Sequence, residues 1–272
     1  MLVLLGALKE EIVDVRRRMV LEETFAQDDC RMYRGKYRSK DILLVQTGMG
    51  REKAERATAL VLERYPVTAL VSLGFARALT EQSKAGDIIL CTTLFCENKH
   101  AHEELESVSS YRSSPDLIYL ALRALEGTTA RFRQGKSVTV SRPVSDPGDK
   151  RALGETFHAE VVEMENYWIA GIASASNVPF MAVRIILDTM QDSLPAFDRI
   201  LDSNGKWRWH GAVPYFVSRP QHLISLFVLY RKARQARRSL TAFVDRYTES
   251  RKQQPTTGGG RQGSGSERES ML

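Results

Sequence analysis

The sequence predicts an α/β fold: one domain over residues 1–247, followed by a disordered tail over 248–272. Three observations carry that expectation. Predominantly apolar runs at 2–5, 69–73 and 180–186 are too short for helices and too apolar for exposed edges, so they read as buried strands. Segments with apolar residues at three- and four-residue spacing fall between them, the alternation expected of helices packed on a sheet. The chain of 272 residues is 43% hydrophobic, enough for one large core, until Gly, Ser and mixed charge take over after Thr256.

Taken in order, residues 2–5 form the first strand and Gly6-Ala7 its tight exit. Residues 9–19 form a helix with Ile12, Val15 and Met19 on its apolar side; Glu10 and Glu11 lie in the first turn, where carboxylates suit the helix dipole. Residues 31–38 and 41–46 read as a hairpin. The turn Thr47-Gly48-Met49-Gly50 then leads into a helix over 51–65, and either cradles an anion on helix N–H groups or simply connects. The strand 69–73 ends at Gly74-Phe75-Ala76-Arg77-Ala78-Leu79, and 84–89 is a turn and strand. Residues 97–114 are polar and contain His100, His102, Glu103 and Glu104; without further ligands at defined spacing they read as a solvated loop, not a metal site. A helix over 117–125, a strand over 136–141 and a helix over 149–157 lead to the stretch 161–188. There Trp168, Ile169, Ile172 and Ala173 mark a helix that Asn177 and Pro179 stop. The strand 180–186 carries one arginine, Arg184, and Asp188 stands just past its end, where open α/β sheets bind ligands. Ser193-Leu194-Pro195 and the Trp207-Arg208-Trp209 segment are irregular. The last helix, over 220–247, sets Leu223, Leu226, Phe227, Tyr230 and Ala233 on one side.

Glu163-Met164-Glu165 after Val162, then a helix, then Val178-Pro179-Phe180, then Val183-Arg184 and Asp188 form an ordered constellation. With Gly6-Ala7 followed by Glu10-Glu11, it resembles the nucleoside phosphorylase/nucleosidase family over about residues 1–245. The similarity is nearest to the branch holding methylthioadenosine/S-adenosylhomocysteine nucleosidases and hopanoid-associated nucleoside phosphorylases. The resemblance implies a three-layer domain with a central mixed sheet flanked by helices, and hydrolysis of the N-glycosidic bond of a purine nucleoside with adenine leaving. It implies Asp188 as the general acid at N7, Glu11 and Arg184 holding the attacking water, Glu165 on the ribose hydroxyls and Met164 against the sugar. Glu163, Gly74, Phe75 and Val144 complete the implied substrate-binding set. It further implies a homodimer, with no metal and no cofactor.

Two departures bear on the chemistry. Phe75 stands where family members carry a serine, and Arg77 and Ala78 stand where glycines are usual. A phenyl ring cannot hydrogen-bond phosphate, and the Glu11 carboxylate would repel a phosphate dianion, so water is the favoured nucleophile. Phosphorolysis is the alternative, and a non-catalytic nucleoside- or membrane-surface-binding protein is an alternative of another class. Each residue also has a plain reading: Arg184 paired with Glu165 or Glu11, Glu163 and Glu165 complementing a helix dipole, Asp188 capping a helix.

The formal charge is +6 and the pI about 9.3. Residues 219–252 carry much of that excess, with nine Lys/Arg against Asp245 and Glu249, and no nucleic-acid signature accompanies them. Cys30, Cys91 and Cys96 contain no CxxC; Cys91 and Cys96 fall in or beside an apolar strand and read as small hydrophobes, so no disulfide is expected, which fits a reducing compartment. The opening apolar run is too short for a signal segment. A soluble cytoplasmic protein is expected. Its Leu- and Arg-rich ending resembles the hopanoid-associated branch, which implies a substrate such as adenosylhopane or another 5′-substituted adenosine, and peripheral contact with the inner membrane face through the basic helix.

Overall fold

Alternate residues of the first strand, β1 (Leu2–Gly6), bury on opposite faces: Leu2 and Leu4 join one apolar cluster, Val3 and Leu5 another. A strand apolar on both sides needs helices on both sides, and that requirement organises the molecule. The computed structural model describes residues 1–97, 109–192 and 221–250, with side chains from Tyr230 onward in the last segment. After β1 come α1 (Lys9–Arg17), β2 (Val20–Gln27), β3 (Cys30–Tyr37), β4 (Lys40–Gln46), α2 (Arg51–Arg64), β5 (Ala69–Ala78) and β6 (Ile88–Cys96). They are followed by β7 (Ser110–Arg112), α3 (Pro115–Leu125), β8 (Phe132–Thr139), α4 (Pro147–Phe157), β9 (Val161–Glu163), α5 (Asn166–Ala175), β10 (Phe180–Asp188) and α6 (Gln221–Ser250). The helices α1, α3 and α6 cover the Leu4 face, and α2 and α5 cover the Leu5 face. This is the expected three-layer arrangement with a mixed central sheet.

The sheet does more than lie between the layers. The strand β5 is ten residues long; its first half pairs in parallel with β1 and its last residues, Arg77 and Ala78, pair antiparallel with β9. The strand β10 runs parallel to β5 and antiparallel to β6, β6 pairs with β8, and β8 with β9. The strands β5, β10, β6, β8 and β9 therefore close a ring, and β1, β4, β3 and β2 extend from it as an open sheet. The C-terminal ends of the parallel strands β1, β4, β5 and β10 meet where ring and open sheet join.

Several boundaries differ from the sequence reading. Residues 20–27 form a strand, β2, that the sequence reading did not foresee: it is exposed along nearly its whole length, so no apolar pattern marks it. The strand β5 continues through Gly74–Ala78 because β9 and β10 pair with it there. Asp188 is the last residue of β10, not beyond it, because a register shift after Ile186 lets the strand keep pairing with Arg77. The last helix reaches Ser250, past the boundary at 247; the rest of the expected tail, the His100/His102/Glu103/Glu104 loop, Ser193-Leu194-Pro195 and the Trp207-Arg208-Trp209 segment lie outside the described residues. Among the described residues no helix is long and apolar enough to cross a membrane.

Candidate active site

Glu11 occupies the first turn of α1 with its carboxylate turned inward, 7% exposed. Its Oε2 accepts the Leu8 N–H at 2.8 Å, which secures the helix start, and its Oε1 accepts the Phe75 N–H at 2.8 Å. Helix capping and inward placement are thus the same geometry, and each oxygen keeps a further lone pair. Across from it, β10 delivers Arg184 opposite Gly74 of β5. A Cβ on Gly74 would lie 2.8 Å from Glu11 Oε1 and 3.2 Å from Arg184 Nη1. The acid and the guanidinium close over the backbone at Gly74, and a side chain there would force them apart.

Arg184 is 2% exposed inside the sheet, a position tolerable only with partners. Nη2 donates to Glu163 Oε2 at 3.1 Å and to Ser72 Oγ at 3.1 Å. The sequence reading had Glu165 or Glu11 as its partner; Glu163 takes that place because its carboxylate turns beneath the start of α5. There Glu163 Oε2 also accepts the N–H groups of Glu165 at 2.8 Å and Asn166 at 2.7 Å, capping the helix, while Oε1 accepts the Thr139 hydroxyl. Asn166 extends the network, accepting from Ser72 at 3.1 Å and donating to Ser137 at 3.2 Å. Both oxygens of Glu163 thus accept from protein donors, Oε2 from three of them. Glu165 differs: its Oε1 accepts one bond, from the Gly50 N–H at 2.9 Å, presented by a glycine at φ +87°. A small cavity opens between these groups, with Gly6, Ala7, Thr47 and Ser72 in its wall beside Glu11, Glu165 and Arg184.

The electrostatics follow from burial. Loss of solvent pushes Glu11 above the ordinary carboxylate range, against the pull of Arg184 and the Leu8, Phe75 and Ala7 N–H groups. Loss of solvent, then the neighbouring Glu163, push Glu165 up to about 8. Burial alone would lower Arg184, but Glu163, Glu11 and Glu165 outweigh it and hold the guanidinium charged.

A second group gathers at the end of β10. Asp188 is fully buried; its Oδ2 accepts from Lys150 Nζ at 2.8 Å and lies 3.9 Å from Arg77 Nε, while Oδ1 has no protein partner. Burial raises its pKa, with Lys150 and Arg77 opposing. Arg77 also donates from Nη1 to the Val144 carbonyl and to Ser145 Oγ, so it ties the segment before α4 to Asp188. Val144 and Met164 both pack on the small apolar cluster around Val138 and Leu153.

The structure therefore brings Glu11, Glu163, Glu165, Arg184 and the Gly74–Phe75 backbone into one constellation, and Asp188 and Val144 into another at the far end of the same strand. The Phe75 side chain leaves the cavity wall and packs on the α1/α3/α6 cluster, so this residue offers the site its backbone N–H alone. Ser72, Thr139, Asn166 and Lys150 were not foreseen. Lys150 had a legible signal: it falls three residues before Leu153 on the buried side of α4.

Comparison with known proteins agrees with this architecture. A family model described as the phosphorylase superfamily matches residues 1–206. The chain belongs to that superfamily. A 5′-methylthioadenosine/S-adenosylhomocysteine nucleosidase of Bacillus thuringiensis is 24% identical over 212 residues, covering 73% of this chain and 90% of the relative. Among solved structures, the same-named enzyme of Neisseria meningitidis, in complex with methylthio-immucillin-A, superposes with a TM-score of 0.70 at 20% identity over 92% of this chain and 98% of that one. Futalosine hydrolase of Helicobacter pylori gives 0.68 at 19% identity over 90% and 97%. At such identities the structural likenesses show the shared fold alone.

Proposed function

We propose that this member of the phosphorylase superfamily is a purine nucleosidase, hydrolysing the N-glycosidic bond of an adenine nucleoside. One observation carries the choice of water over phosphate: three buried carboxylates, Glu11, Glu163 and Glu165, surround the single guanidinium of Arg184. A phosphate dianion would enter a site whose guanidinium is already paired with Glu163 and faced by Glu11, whereas a water between Glu11 and Arg184 gains a base and a donor. The names of the relatives, nucleosidases and a futalosine hydrolase, support the same reaction class.

In this reading Glu11 and Arg184 hold the water over Gly74, and Glu165, with one oxygen on Gly50, turns its remaining capacity to the ribose hydroxyls. Met164 lies against the sugar. Glu163 positions Arg184 and the start of α5 through Oε2, and its Oε1, with one bond to Thr139, keeps capacity for the substrate. Asp188 gives its proton to the purine as the C1′–N9 bond breaks and the electron pair moves onto the base. Val144 lines the base. The test is base release from adenosine, 5′-methylthioadenosine, S-adenosylhomocysteine and futalosine, with and without phosphate. Free sugar and a rate indifferent to phosphate are expected, and Asp188→Asn should lose at least about 10²-fold in kcat. A sugar 1-phosphate product would make the protein a phosphorylase. No base release from any of them would favour a binding protein.

The finer reading concerns the 5′ substituent. An adenosylated lipid would be met at a membrane surface, and α6 offers Arg231, Arg234 and Arg238 exposed at helical spacing, while Lys232 and Arg237 are taken by Asp192 and Asp14. Each exposed arginine near an anionic leaflet contributes on the order of 1 kcal/mol. Co-sedimentation with anionic vesicles at low salt, lost when the three become Gln, is expected; equal sedimentation of the variant would refute it. A homodimer, implied by the family resemblance, completes the proposal.

A further inference from the structure

Lys150 is a lysine with no exposure at all, on a helix otherwise open to solvent along its other side. An ammonium has three protons, and each finds an oxygen: Asp188 Oδ2 at 2.8 Å, the Thr189 carbonyl at 2.9 Å and the Asp192 carbonyl at 2.7 Å. One side chain thus joins α4, the end of β10 and the turn after it. Asp188 meets charge from three elements: Lys150 from α4, Arg77 from β5 at 3.9 Å, and Asp192 from the turn, itself held by Thr189 and by Lys232 of α6. The result is an asymmetric carboxyl group. Oδ2 is locked by the ammonium, and Oδ1 is buried without a protein partner.

We propose that Lys150 is the positioning residue of the general acid: it fixes Asp188 through Oδ2, presents Oδ1 to the leaving base, and stabilises the carboxylate left when the proton departs. The inference rests on the reading of Asp188 as the acid. The charge balance supports it. Before reaction the proton is on Oδ1 and Lys150 faces a neutral group. As the Oδ1–H bond breaks and the N–H bond of the purine forms, negative charge appears on Asp188 beside a fixed ammonium that need not reorganise. Lys150 therefore interacts more strongly with the transition state than with the ground state, the condition for raising kcat without tightening substrate binding. Arg77 adds to the same field from a greater distance.

The experiment is a double-mutant cycle on the intact chain, read as kcat and KM for 5′-methylthioadenosine and as kcat against pH, with thermal unfolding as control. Lys150→Met should lower kcat on the order of 10²-fold while KM changes less than about threefold. The alkaline limb of its pH profile should move to higher pH, because Asp188 loses its nearest cation and holds its proton longer. Lys150→Arg should recover part of the loss. In the Asp188→Asn background Lys150→Met should cost little more, since the group it acts through is gone. That doubly neutral protein also lacks an unpaired buried charge, so it remains readable if Lys150→Met alone unfolds. Wild-type kcat and pH profile in Lys150→Met, with Asp188→Asn inactive, would overturn this proposal and leave the acid in place. An equal loss in both backgrounds would make Lys150 a structural lysine. Near wild-type turnover in Asp188→Asn would remove the acid itself, and this role with it.

Discussion

With the ribose-binding role proposed for it, Glu165 sets function against stability at one residue. Burial and Glu163 push its pKa up to about 8, against an ordinary glutamate value of 4.5. Below 4.5 the folded and unfolded chains both hold the proton. Between 4.5 and about 8 the folded state keeps a proton that the unfolded state has lost, so this residue's contribution to stability falls as pH rises through that window. Glu165→Gln keeps a carbonyl for the Gly50 N–H and removes the titration. The variant should therefore match wild type at pH 4 and exceed it at pH 8 by roughly 1–3 kcal/mol, while losing activity on ribonucleosides. Thermal unfolding of both proteins across that range decides it. Parallel curves, or a less stable variant at pH 8, would show that Glu165 is not a strained carboxylate in the free protein.

Among the elements, those that bury apolar runs were legible and those defined by distant pairing were not. The strands β1 and β10 and the helices α2, α3 and α5 announce themselves because each must bury a face, and spacing records which one. The strand β2 buries almost nothing, and its ladder to β3 rests on backbone bonds that any sequence can make. Ring closure depends on β5 meeting β9 through Arg77 and Val162, a pairing that no local pattern encodes. The same division runs through the site. Glu11, Glu163, Glu165 and Arg184 stand at element ends or inside an apolar strand, where a charge calls for an explanation, and the family resemblance supplied their order. Lys150 stands within a helix, where a lysine ordinarily faces water; its spacing to Leu153 marks the buried side, but its partners at the end of β10 appear only in the fold.

At the scale of the molecule the proposed reaction gives the two residue groups opposite protonation needs, and pH should read both. In that proposal Glu11 must be ionised to take a proton from water, and Asp188 must be protonated to give one to the base. Both sit above the ordinary carboxylate range for the same first reason, loss of solvent. Activity should rise as Glu11 ionises and fall as Asp188 loses its proton, giving a bell whose two limbs both lie above about 4, the ordinary carboxylate value. The acid limb belongs to Glu11 together with Glu165, which feels its charge, and with Arg184, which opposes both shifts. The alkaline limb belongs to Asp188 with Lys150 and Arg77. Measured as kcat/KM for the nucleoside turned over fastest, a rate that keeps climbing below pH 4 would exclude Glu11 as the base. A rate flat to high pH would exclude Asp188 as the acid, and the two exclusions are independent because the groups lie in different clusters at opposite ends of one segment of β10.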